Sequence, residues 1–151
     1  SFGNNIELLN ISGDAELYAS GGSIEIDQFR GKAKCEAEAG NITLNNVAGS
    51  IESFTSSGDI VLNLIYDSSL KNNSINLETH SGNLTANIPK DLSADIKTII
   101  YRTTSVKKLN SEIALDIKIE NNKIIGKRKI SGGEIPINFI AHQGEININE
   151  N

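Results

Sequence analysis

The sequence predicts an all-β chain folded as a single-stranded parallel β-helix, a solenoid of 18-residue coils with one inserted β-hairpin. Three observations predict it. Gly13, Gly22, Gly31, Gly40, Gly49 and Gly58 follow one another at intervals of nine. Apolar and polar residues alternate between these glycines, which is the period of a strand. The composition, 24 Ile and 19 Asn in 151 residues with 2 Pro and no Trp or Met, favours extended segments and polar turns over helices.

Laid out in eighteens, segments 13-30, 31-48 and 49-66 superimpose without a gap. Six extra residues, Asp67 to Asn72, precede a further copy at 73-90 around Gly82, and a last copy runs from Ile135 around Gly144. The whole chain, 1-151, therefore reads as one solenoid domain. Regular coils occupy 4-90, a degraded coil with a hairpin cap occupies 91-130, and a final coil occupies 131-151. A lone pair of short strands cannot bury its apolar face, whereas stacked equivalents place like on like and build a continuous core.

The inward stripe of the first strand of each copy reads Ala15, Leu17, Ala19; Ala33, Cys35, Ala37; Ile51, Ser53, Thr55; Ile75, Leu77, Thr79; and Ile137, Phe139, Ala141. The second strand contributes Ile24, Ile26, Phe29; Ile42, Leu44, Val47; Ile60, Leu62, Ile65; Leu84, Ala86, Pro89; and Ile146, Ile148. A turn is expected at each glycine, where the corner is tight or φ is positive. Five residues beyond each central glycine stand Asp27, Asn45, Asn63, Asn87 and Asn149, a column whose amides are placed to hydrogen-bond along the stack as a structural ladder.

Segment 91-130 lacks the glycine period. Ile96, Thr98 and Ile100 alternate as one degraded coil, and a polar stretch runs from Arg102 to Ser111. Ala114 to Glu120 and Lys123 to Ile130 then form a hairpin turning at Asn121-Asn122. This segment carries nine Lys or Arg and five Asp or Glu, net +4, against net -9 for the remainder. It is read chiefly as a cap over an acidic solenoid, because an uncovered coil exposes pairing edges. A basic contact surface around Lys127, Arg128 and Lys129 is the competing use.

Few residues point to chemistry. Calcium-binding nonapeptide rolls need paired glycines and an aspartate in each turn, but among the glycines spaced by nine only Gly22 is doubled, as Gly21-Gly22, so no calcium is expected. His80 and His142 share a column, but two ligands without Cys or an adjacent carboxylate motif are too few for a closed metal site. They are read as surface turn histidines, and no metal or cofactor is assigned. Cys35 lies on the inward stripe and is a core residue rather than a nucleophile. Outward acids such as Glu16, Glu25, Glu38 and Glu52 are scattered among Lys32, Lys34 and serines rather than gathered with a base, so no catalytic residues are assigned and no enzyme is expected. One outward column holds Tyr18, Glu36 and Phe54, with Ile140 equivalent in the last copy. Exposed aromatics on a flat sheet suit a partner-binding face; alternatively, the 91-130 segment lies over them.

A net charge of -5 argues against a general nucleic-acid binder. No apolar run approaches the roughly 20 residues that a membrane helix needs. The start, Ser1-Phe2-Gly3-Asn4, carries no signal-peptide pattern and leads quickly into patterned sequence, which fits a leader removed upstream.

The phrases Ser57-Gly58-Asp59-Ile60, Glu78-Thr79-His80-Ser81-Gly82-Asn83-Leu84, Ile88-Pro89-Lys90-Asp91-Leu92-Ser93-Ala94-Asp95-Ile96, and Gly132-Gly133-Glu134 through Gly144-Glu145-Ile146 resemble the bacterial adhesin domain of the toast-rack type. Autotransporter-like adhesins are a related group. Asn73 and Ile135 depart from the pattern, standing where glycine opens other copies. The resemblance implies a right-handed parallel β-helix on a periplasmic, surface-exposed or secreted protein of the cell envelope. It implies no catalytic residues. The leading functional reading is a non-enzymatic module whose rigid sheet face binds an unknown protein or glycan. The alternative is a structural scaffold that self-associates through its solenoid ends.

Overall fold

The computed structural model describes residues 3–151, so the Ser1-Phe2 part of the N-terminal reading lies outside the described residues. The described residues are all-β apart from a 3-10 turn at Val106–Lys108. Its strands are β1 (Ile6–Ala19), β2 (Ile24–Ala39), β3 (Ile42–Ser57), β4 (Ile60–Leu64), β5 (Ser74–Ser81), β6 (Leu84–Ile88), β7 (Ala94–Tyr101), β8 (Leu109–Ser111), β9 (Asp116–Glu120), β10 (Lys123–Ile130), β11 (Ile135–Gln143) and β12 (Ile146–Glu150). They form one curled, mixed 12-stranded sheet in the order β8-β12-β6-β4-β3-β5-β11-β7-β10-β9, with β2 beside β3 and β1 beside β2. No helix among the described residues is long and apolar enough to cross a membrane.

Residues 18 apart in sequence sit side by side in parallel pairs. Ile6 pairs with Ile24, and Ile24 with Ile42; Ala15 pairs with Ala33, and Ala33 with Ile51. Ile24, Ile42, Ile60, Leu84 and Ile146 thereby stack into one fully buried line, and Phe29 and Phe139 are the largest fully buried side chains. Each such aliphatic side chain contributes roughly 1.5–3 kcal/mol by leaving water. The inward threonines are satisfied by the backbone: Thr55 Oγ1 donates to the Gly40 carbonyl at 3.0 Å and Thr79 Oγ1 to that of Gly58 at 2.9 Å.

The glycines divide into two classes, which corrects the expectation of a turn at each. Gly13, Gly31 and Gly49 lie within β1, β2 and β3, which run past them unbroken, whereas Gly40, Gly58, Gly82 and Gly144 fall between strands. The corner in each of β1 to β3 comes instead from Asn10, Gln28 and Asn46, with φ of 54°, 58° and 54°. These residues are skipped by the pairing on either side, as in a β-bulge. The extra residue explains why Phe29 and Val47, three positions beyond Ile26 and Leu44, still point inward. Strands β4 and β6 have no such left-handed residue, so strict alternation continues and Leu64 and Ile88 are buried where the periodicity placed Ile65 and Pro89.

The hairpin forms with Asn121 and Asn122 at φ 49° and 57°, the left-handed pair that a two-residue type I′ turn requires. Two features of 91-151 depart from the linear reading. The copy at 131-151, last in sequence, is not last in space: β11 inserts between β5 and β7, and β12 between β6 and β8. The polar stretch before the hairpin supplies a strand of its own, β8, paired in parallel with β12. Beyond β7 the parallel pairing ends, because β10 runs antiparallel to β7 and β9 antiparallel to β10.

Candidate functional site

Side chains at alternate positions of a strand share a face, and in-register strands align them into columns. On the outward face, Tyr18 is opposite Glu36, Glu36 opposite Phe54, Phe54 opposite Glu78, Glu78 opposite Ile140, and Ile140 opposite Ile99. The three residues proposed from sequence are therefore immediate neighbours across β1, β2 and β3. Segment 91-130 does not cover them. It extends the sheet edgewise through β7, β10 and β9, because its backbone donors and acceptors pair with β11 instead of packing over the face. Tyr18 retains 44% of its surface exposed.

Tyr18, Glu36 and Phe54 are each held by a side chain outside the column. The Tyr18 hydroxyl donates to the Glu38 carboxylate, two residues beyond Glu36 on β2, and this contact raises the phenol above its ordinary pKa. Glu36 accepts from Lys34 at 3.0 Å, and Lys34 also approaches Glu16 at 3.8 Å. The Glu36 carboxylate raises the Lys34 ammonium above its usual value. Phe54 is half-buried and meets the His80 ring edge-on, with centroids 6.0 Å apart. A groove of about 180 Å³ opens here, lined by Glu52, Phe54, Asn76, Glu78, Asn138 and Ile140 among others.

His80 and His142 lie on strands β5 and β11 rather than on turns, which corrects the sequence reading. Strand pairing sets their rings against each other at 4.2 Å between centroids. Glu78, two residues before His80 on the same face, accepts a contact of 2.6 Å from His142 Nε2. Tyr101 stacks on the far side of the His142 ring at 4.9 Å and 15°. Sequence reasoning missed both Glu78 and Tyr101. Glu78 was legible in principle, two positions before His80, but Tyr101 arrives only because β7 packs beside β11.

No family model, curated protein or solved structure matches this chain. The function of the face must therefore be argued from its own geometry.

Cys35 is buried and free, and burial pushes its thiol up to about 12, as expected of a core residue. Asn and Asp side chains at the corners between strands, at Asn5, Asn41, Asp59 and Asn83, have a structural use. Asn5 Oδ1 accepts the Ser23 N–H at 3.0 Å, Asn41 Oδ1 that of Asp59 at 2.9 Å, Asp59 Oδ1 that of Asn83 at 2.7 Å, and Asn83 Oδ1 that of Glu145 at 3.0 Å. These oxygens satisfy backbone donors at each corner.

Proposed function

We propose that this chain is a non-enzymatic module of the bacterial cell envelope or surface, wound as a right-handed parallel β-helix of the toast-rack adhesin type. In this reading its outward sheet face binds a protein or glycan. The observation that carries the reading is the unbroken outward column from Tyr18 through Glu36, Phe54 and Glu78 to Ile140, bordered by the groove at Phe54. Alternating rings and carboxylates suit a sugar, whose apolar faces stack on aromatics while its hydroxyls donate to acids. The anchoring of Tyr18 by Glu38 and of Glu36 by Lys34 lowers the entropy lost when a ligand docks.

Glycan arrays and pull-downs with wild type, Tyr18→Ala and Phe54→Ala test the face. Truncating either ring is expected to weaken a detected interaction by about tenfold or more, the loss associated with a central aromatic anchor. An interaction indifferent to both substitutions overturns the assignment of this face.

A second reading, a self-associating scaffold, is favoured by β1. Among the described residues its only sheet partner is β2, and it exposes 66% of Leu9 and 41% of Ile11. An open strand edge with exposed aliphatics templates pairing with another chain. Light scattering over a concentration series distinguishes the two readings: growth in mass supports assembly, and a constant monomer counts against it.

A further inference from the structure

Glu78, His80 and His142 cluster at the border of the outward column, with Glu78 belonging to both. One ligand atom from each residue lies within 4.8 Å of the others. The backbone dictates this arrangement. Glu78 and His80, alternate residues of β5, project from the same side of the sheet. The pairs Ala141 with Thr79 and Gln143 with Ser81 fix His142 of β11 directly beside His80. Aromatic rings flank the two imidazoles, with Tyr101 stacked on His142 and Phe54 edge-on to His80, so both are held from outside the cluster.

We propose that Glu78, His80 and His142 form a binding site for a borderline divalent transition-metal ion of the zinc class. Two imidazole nitrogens and one carboxylate oxygen match the donor preference of such ions, whereas calcium and magnesium favour oxygen ligands throughout. Metal–ligand bonds of about 2.0–2.2 Å place neighbouring donors of a tetrahedral site roughly 3.3 Å apart. That spacing lies between the 2.6 Å separating His142 Nε2 from Glu78 Oε1 and the 4.8 Å bound on the whole cluster. Side-chain torsions suffice to close the difference, since His80 is exposed and Glu78 and His142 are half-exposed. The ion takes the place of the direct contact between His142 Nε2 and Glu78 Oε1. Three protein ligands leave a fourth position open to water or to a donor atom from a partner.

The test is titration of the tag-free full chain with zinc chloride by calorimetry and with cobalt(II) by visible absorption, alongside Glu78→Gln, His80→Gln, His142→Gln and the same-face control Glu52→Gln. The expected result is one ion per chain, d–d bands of a nitrogen–oxygen site, and unchanged binding in Glu52→Gln. Each cluster variant is expected to bind more weakly by more than the roughly tenfold loss caused by removing an outer-shell partner. Circular dichroism and a urea midpoint establish that each variant is folded. Failure of the wild type to bind either ion, or His80→Gln and His142→Gln both folded with wild-type affinity, overturns the proposal.

Discussion

Gly144 stacks so closely over Gly82 that a Cβ on Gly144 would lie 1.8 Å from the Gly82 carbonyl oxygen. The same approach recurs from Gly82 to Gly58 at 2.0 Å, so the corners form a column of backbone against backbone. This relationship explains why the C-terminal copy seats itself upon 73-90: Gly144 meets a glycine corner at Gly82, and segment 91-130 carries no matching glycine. Substitution Gly144→Ala must displace the carbonyl and also strain a residue at φ 145°. It is expected to cost roughly 3–5 kcal/mol, in the range of a severe core lesion. Gly21→Ala, whose added Cβ would be 3.5 Å from its nearest neighbour, should stay within about 1 kcal/mol. Urea denaturation of the two variants checks the contrast.

The amide column supports a second prediction. Asn63 Nδ2 donates to Asn45 Oδ1 at 2.6 Å, Asn87 donates in turn to Asn63, and Asn149 donates to Asn87 at 2.8 Å. Removing a middle member deprives two half-buried neighbours at once. Asn63→Ala should therefore destabilise by about 1–3 kcal/mol, and Asn149→Ala, at the end of the ladder, by clearly less. Equal losses in thermal or urea unfolding would show that the amides act singly.

Cys35 supports a prediction about pH. Its thiol rises from an ordinary 9.0 to about 12 because burial disfavours the thiolate. Between those values the folded chain holds a proton that the unfolded chain has released, so stability is present below pH 9 and declines as pH climbs toward 12. Three pKa units correspond to a decline of up to about 4 kcal/mol. Cys35→Ala should flatten that part of the stability curve relative to wild type. In the same view, a thiol reagent at pH 8 should modify Cys35 only when denaturant is added, and rapid labelling of the native protein would contradict it.

The register of β1, β2, β3 and β4 was legible from the chain alone because an 18-residue period with two glycines specifies their pairing. The partners of Ile24, Ala33 and Asn63 follow directly from the repeat. The Asn121-Asn122 hairpin was legible for a similar local reason, since few residues tolerate two successive left-handed conformations. The outward column of Tyr18, Glu36 and Phe54 followed from parity.

What only the tertiary structure decided was everything that depends on residues without the period. The insertion of β11 between β5 and β7, the pairing of β8 with β12, and the edgewise placement of 91-130 are long-range choices made by backbone hydrogen bonding and glycine clearance, which leave no local signature. Those choices bring Tyr101 against His142 and put His142 beside Glu78 and His80, contacts that link residues more than sixty positions apart in the case of Glu78 and His142. Alternation determines which way a side chain points, but strand order determines which side chains it meets. The folded sheet therefore determined the cluster, while the repeat determined the stack.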